Sequence, residues 1–166
     1  MDKDNVKYIL DKDISRFDEY IEKADNKANF SLTICVAVLV AIIFQNRDLF
    51  SQINNQCIEK IIVLDLIFIS IALIASIVFS LLVIIPRFSS DLDESLFYFE
   101  DIKSLGSDSF YNKLKNVSEE EIIKDLSKQV SISAKICSIK MNRVKKSFYC
   151  LGAAIIGIIV LILLAL

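Results

Sequence analysis

The run from Ile61 to Pro86, IIVLDLIFISIALIASIVFSLLVIIP, carries one charged residue, Asp65, in 26 positions. A helix crosses the hydrocarbon core of a bilayer with roughly 20 predominantly apolar residues, so this segment reads as a transmembrane helix. Phe148 to Leu166 holds no charge and meets the same criterion. Phe30 to Phe44 is shorter. It reaches spanning length with Ala28, Asn29 and Gln45 or Asn46 in the headgroup zone, where the polar ends of a helix can lie. The expected fold class is an all-α integral membrane protein with three transmembrane helices, the first and third extended into a cytoplasmic helical bundle. The expected segments are a stalk over 1–27, spans over 28–45, 61–86 and 148–166, an extracytoplasmic loop over 46–60 and a cytoplasmic helical region over 87–147.

Charge gives the expected orientation. Of nineteen Lys and Arg, six precede the first span, only Arg47 and Lys60 lie between spans one and two, and eleven lie from Arg87 to Lys146. The positive-inside rule then puts the N-terminus and the long third segment in the cytoplasm and the C-terminus outside. The 29 charged, helix-patterned residues before Phe30 do not resemble a secretory signal, and the first span reads as an uncleaved anchor. With about half the chain in spans, any polar part is a small helical bundle. The absence of histidine removes the commonest general base, and Cys35, Cys57, Cys137 and Cys150 form no CxxC pair. Walker, dinucleotide-binding, HExxH and serine-elbow motifs are absent from the sequence, so no enzyme, metal or cofactor is expected.

Between the spans the chain is written in helical code. Val6, Ile9, Leu10, Phe17, Tyr20, Ile21 and Ala24 share a face, and neither Gly nor Pro separates them from the first span. One helix from about Asp4 to Phe44 would extend roughly 60 Å. Ser118 and Glu121 form a capping box, with Val117 placed to staple onto Ile122. A stripe through Ile122, Leu126, Val130, Ser133, Ile136, Cys137 and Val144 then enters the third span unbroken. Leu92 to Leu105 reads as a short amphipathic helix ended by Gly106 and followed by a loop rich in Ser and Asp.

Several polar residues admit two readings. Asp25 and Lys27 form either a solvated interfacial pair or a contact with a neighbouring helix, the flanking alanines permitting close approach. Counting 100° per residue from Ile122 returns Lys140 to the middle of the apolar stripe beside Gln129. A cation there needs a partner, and Asp25 is the candidate. Arg87 after Pro86 is an interfacial stop or a phosphate contact. Lys128, Lys135, Lys140, Arg143, Lys145 and Lys146, with no acid after Asp125, set topology and touch anionic lipid, or receive an anionic ligand. Asp65 sits among headgroups or lines a pore. Ala72, Ser76 and Ser80 in span two, with Ala153 and Gly157 in span three, allow close helix approach and self-association.

Ala24-Asp25-Asn26-Lys27-Ala28 before span one, Pro86-Arg87 after span two, Leu96-Phe97-Tyr98-Phe99-Glu100-Asp101-Ile102, and Asp125-Leu126-Ser127-Lys128-Gln129-Val130 followed by Lys140 occur in one order. Together they resemble the Pycsar effector family of bacterial anti-phage defence, from about Phe17 to the last span. Glu100 departs from the small residue usual after the aromatic pair. The resemblance implies an inner-membrane effector that answers a cyclic nucleotide made by a partner cyclase, impairs the membrane and arrests growth. It implies no enzyme activity and no nucleic acid polymer as partner; membrane lipids and further copies of the chain are the other partners. Within it, Lys27, Arg87, Lys140 and Arg143 are the cations near the ligand, and Phe97 or Tyr98 stacks on the base. Asp25, Asp125 and Gln129 have coupling roles. The rival readings are a constitutive scaffold without a small ligand and a small ion channel using Asp65.

Overall fold

The computed structural model of the chain describes residues 2–49, 56–85 and 95–165. It contains α1 (Lys3–Leu49), α2 (Gln56–Ile84), α3 (Phe99–Leu105), α4 (Ser107–Asn116) and α5 (Glu119–Ala165), with no strand among the described residues. Three of these, α1, α2 and α5, are long and apolar enough to cross a membrane. Both α1 and α5 span 47 residues, far beyond their apolar parts. The connection between the first two spans is tighter than the 46–60 loop read from sequence, since α1 continues to Leu49 and α2 opens at Gln56.

Inward-facing residues on all three long helices step alternately by three and four. On α1 the buried and half-buried series is Leu10, Ile14, Phe17, Ile21, Ala24, Ala28, Ser31, Cys35, Val38, Ile42. On α2 it is Ile62, Leu66, Ile69, Leu73, Ser76, Ser80, Val83, and on α5 it runs from Leu126 through Val130, Ser133, Cys137, Lys140, Val144, Ser147, Leu151 and Ala154 to Ile158. A mean period of 3.5 keeps one seam facing its partners only if the helices coil left-handedly, which is coiled-coil packing.

The chain forms two compact units, one of Met1–Glu22 with Arg87–Ile139 and one of Lys23–Pro86 with Lys140–Leu166. The first unit is polar. Its outer ion pairs, Lys3 with Glu120 at 3.3 Å and Lys7 with Glu119 at 3.1 Å, join α1 to the first turn of α5 in parallel. Ser118 caps α5 as the sequence indicates: Glu121 Oε2 accepts from Ser118 N at 2.8 Å and Ser118 Oγ accepts from Glu121 N at 3.3 Å. The Ser118 N–H bond to that carboxylate and a second from Ser118 Oγ at 2.9 Å, with the charge of Lys124, hold the Glu121 carboxyl below the usual glutamate range.

Two expectations for this unit need correction. The segment after Gly106 is the helix α4. Ser107 and Asp108 fill its first turn, where such residues are favoured, and Lys113 and Lys115 its last. Gly106, at φ 72°, turns the chain between α3 and α4 in a conformation other residues rarely adopt. Of the helix read over Leu92–Leu105, residues 92–94 lie outside the described residues and α3 begins at Phe99, because residues 95–97 place their amides on side-chain oxygens.

The second unit is built for lipid. Its interior mixes small and polar residues, Ala24, Ala28, Ser31, Cys35, Ala72, Ser76, Ser80, Ser147 and Ala154, with larger apolar ones such as Ile69, Leu73 and Val83, while Phe44, Leu64, Phe68, Ile71, Ile156 and Leu163 face outward. Lipid tails are as apolar as leucine, so transmembrane helices associate through close packing and polar contacts. An apolar layer of Cys35, Ile69, Leu73, Leu151 and Ala154 occupies one end and Ala24, Ala28, Val83 and Val144 the other. Gly157 lets α5 approach Ile69, whose Cγ1 lies 2.6 Å from where a Cβ would stand.

Candidate functional site

In the polar unit the focus is Ser95, 1% exposed. Its hydroxyl donates to the Asp125 carboxylate at 3.0 Å and accepts from Phe97 N at 3.1 Å and Gln129 Nε2 at 3.0 Å. Both of its lone pairs and its proton are thereby used. Asp125 Oδ2 also accepts from Leu96 N at 2.7 Å, and Asp101 Oδ2 from Ser95 N at 2.8 Å. Three successive amides are thus taken up by side-chain oxygens, that of Ser95 by Asp101 of α3, that of Leu96 by Asp125 of α5 and that of Phe97 by the Ser95 hydroxyl. Asp125 and Gln129, one turn apart on α5, hold that hydroxyl in place as a clamp. The structure brings together these two residues marked in the sequence, around a serine that the sequence left unmarked.

Beside the clamp lies an open cavity of about 350 Å³. Leu96 and Val117 give it an apolar wall, and Lys113 from α4 with Lys124 and Lys128 from α5 also line it. Its two carboxylates, Glu121 and Asp125, are those already accepting hydrogen bonds from the cap and the clamp. Phe97 is exposed and Tyr98 is the N-cap residue of α3. Among the described residues no group of Cys, Asp and Glu could hold a metal ion.

Of the remaining expected site residues, Asp25, Lys27, Asp65, Lys140 and Arg143 belong to the apolar unit. Lys140 Nζ donates to both oxygens of Asp25, at 2.5 and 2.8 Å, the pairing that helical counting suggests. Arg143 donates to the carbonyl of Leu82 at 2.6 Å. Two of the four cations expected near a ligand are therefore engaged with protein groups. Lys27 lines an apolar cavity of about 560 Å³ with Met141, Asn142, Val144, Lys145 and Phe148. Arg87 lies outside the described residues.

Four buried hydroxyls occupy the seam between the two apolar layers. Ser147 Oγ lies 2.9 Å from Ser31 Oγ, 2.8 Å from Ser80 Oγ and 3.2 Å from the Ser76 carbonyl, and Ser76 Oγ lies 2.9 Å from the Ser147 carbonyl. One assignment satisfies every proton: Ser31 and Ser80 donate to Ser147, Ser147 donates to the Ser76 carbonyl, and Ser76 donates to the Ser147 carbonyl. Sequence reading finds Ser76 and Ser80 only as small residues and misses Ser31 and Ser147. Their position in the three-four repeat is the signal that identifies them. Further along, Asp65 Oδ2 is buried without a hydrogen-bond partner within the described chain, and Asp65 Oδ1 lies 3.4 Å from the Cβ position of Gly157.

A family model described as PycTM, Pycsar effector protein domain, matches residues 9–166. No curated protein and no solved structure matches the chain. With nearly the whole sequence covered and three membrane-crossing helices in place, the chain belongs to the Pycsar effectors, membrane proteins that serve anti-phage cyclic-nucleotide signalling beside a partner cyclase and are effectors rather than enzymes.

Proposed function

We propose that this protein senses a cyclic nucleotide through its polar unit and, in response, impairs the bacterial inner membrane and arrests growth. The observation that carries the reading is that α1 and α5 are each unbroken helices contributing to both units. A ligand acts on a conformational equilibrium only through differential affinity for its states, and a helix with no Gly or Pro at the boundary is a stiff element through which such a bias can act. The distribution of Lys and Arg supports a cytoplasmic N-terminus and third segment. In this reading the effector works as an assembly of copies in contact with lipid. Lys27, Arg87, Phe97 and Tyr98 remain candidate ligand residues, and Asp65 lines the damaged state, where water or a neighbouring copy satisfies its buried oxygen.

The test is purified protein in dye-loaded liposomes, exposed in turn to 3′,5′-cyclic CMP, UMP, AMP and GMP. Leakage with at least one nucleotide, and a raised unfolding temperature with the same one, is expected. Nucleotide-independent leakage, or none with any of the four, would favour the channel or scaffold readings. Asp65→Asn should reduce leakage without changing nucleotide affinity.

A further inference from the structure

We propose that the groove between α1 and α5 at the Asp25–Lys140 end of the apolar unit binds one anionic phospholipid, its phosphate taken by Lys27 and Lys145 and an acyl chain laid along Phe148. The cavity there, about 560 Å³, is lined by Lys27 from α1 and by Met141, Asn142, Val144, Lys145 and Phe148 from α5. That volume falls within the roughly 300–1,000 Å³ usual for small-ligand sites. The lining starts just past the Asp25–Lys140 pair and ends beside the Ser31–Ser147 contact, so the groove runs from the polar edge of the unit into its apolar part. Lys27 precedes the first apolar run of the sequence and Phe148 opens the third. Met141 and Phe148 are both exposed, so the groove offers apolar surface where the hydrocarbon begins.

Charge selects the class of lipid. Among the described residues the lining has two lysines and no carboxylate, and Lys27 has no hydrogen-bond or ion-pair partner there. Lys145 stands 5.7 Å from the centroid of the Tyr149 ring, which is 67% exposed. A charge-assisted hydrogen bond from the same ammonium to a phosphate outweighs so exposed a contact. Of the acids in the unit, Asp25 has its charge offset by Lys140, Asp48 lies at the far end of α1, and Glu59 and Asp65 lie in the first three turns of α2. Cations beside apolar surface match a diacyl phosphate monoanion such as phosphatidylglycerol, whereas phosphatidylcholine brings a cation of its own. A lipid seated across α1 and α5 favours the arrangement in which the groove is formed. The inference rests on the membrane helices and not on the cyclic-nucleotide reading, and it gives Lys27 to lipid.

The experiment measures binding of fluorescent dioleoyl phosphatidylglycerol to the delipidated full chain in neutral detergent. Salt at about 0.5 M, where the screening length is roughly 4 Å, suppresses loose attraction to exposed charges. Wild type is compared with Lys27→Gln, Lys145→Gln and the double variant. Lys146→Gln, next along α5 and outside the lining, is the charge control, and unliganded unfolding temperatures confirm folding. Each single change should weaken binding about fivefold and the double change about 25-fold, with the control within about twofold of wild type. Phe148→Ala should weaken phosphatidylglycerol and phosphatidylcholine alike, by about fivefold. Unlabelled phosphatidylglycerol should displace the probe about tenfold better than phosphatidylcholine, and glycerol 3-phosphate, a phosphate without chains, should not displace it. A folded double variant that binds as well as wild type, or a loss in the control equal to that in the singles, would overturn the site. Equal displacement by the two phospholipids would overturn the role of charge. Displacement by glycerol 3-phosphate would make the cavity a free-phosphate site, and displacement by a cyclic nucleotide, lost in the double variant, would return Lys27 to the nucleotide; either overturns the lipid assignment. The lipid arms contain no nucleotide, so their failure leaves the cyclic-nucleotide reading intact.

Discussion

Replacing Asp25 by alanine should destabilise the protein more than replacing Lys140 by methionine, although each change breaks the same contact. The difference lies in what is left behind. The Lys140 side chain is 15% exposed and that of Asp25 34%, so the orphaned ammonium has less access to water than the orphaned carboxylate. Breaking a fully buried pair costs about 3–5 kcal/mol and an exposed one about 0–1 kcal/mol. With partial exposure on both sides, we expect about 2–3 kcal/mol for Asp25→Ala and about 1–2 kcal/mol for Lys140→Met, where methionine keeps the packing of the lysine stem. The double variant leaves no unpaired charge and should cost about 1 kcal/mol, which gives a coupling energy on the order of 2–4 kcal/mol. The reversed pair, Asp25→Lys with Lys140→Asp, should recover part of the loss. Reversible unfolding in mixed micelles at neutral pH measures all of these. Single effects that add to within about 0.5 kcal/mol, or a larger loss for Lys140→Met, would show that the two charges do not depend on each other.

Asp125→Ala removes the acceptor for Ser95 and Leu96 and should cost about 2–4 kcal/mol, with faster hydrogen exchange at amides 95–97 as its local signature. Because the Glu121 carboxyl is held below its ordinary range when folded, the unfolded chain binds the proton more readily in acid. Its stabilising share is full above the usual glutamate range and is lost as pH falls through the depressed value, so Glu121→Gln should flatten that part of the acid unfolding profile while retaining the cap. Gly157→Ala drives a methyl against the fully buried Ile69 and should cost about 1–3 kcal/mol, a loss reduced when Ile69→Ala is added; equal losses in both backgrounds would refute the contact. Ser147→Ala should cost only about 1–2 kcal/mol in the same unfolding assay, since Ser31 can turn to Ser76 Oγ at 3.3 Å.

The membrane helices are legible in the sequence because twenty uncharged residues have few other uses, and the start of α5 because Ser118 and Glu121 satisfy each other across three positions. Lys140 and Asp25 could be paired from helical geometry alone, since a cation on an apolar stripe creates a need for an acid nearby. The Ser95 clamp follows no such rule. Its acceptor, Asp125, is 30 residues away, and nothing local shows that residues 95–97 have lost their helical partners. Ser107-Asp108-Ser109 is equally ambiguous, because the residues that favour a loop also favour the first turn of a helix, and only the placement of α4 decides between them. The lysine cavity depends on the same two elements, and so it too stays hidden until they are placed.

The serine layer also bears on how the membrane helices can move. An apolar helix sliding along another in lipid exchanges like for like, and little opposes a piston stroke. Here a one-heptad stroke of α2, about 10.5 Å, would put Ile69 or Val83 where Ser76 stands and leave hydroxyls stranded in hydrocarbon. Tilting or twisting about that layer keeps the hydroxyls together, and it is the motion this architecture leaves least opposed.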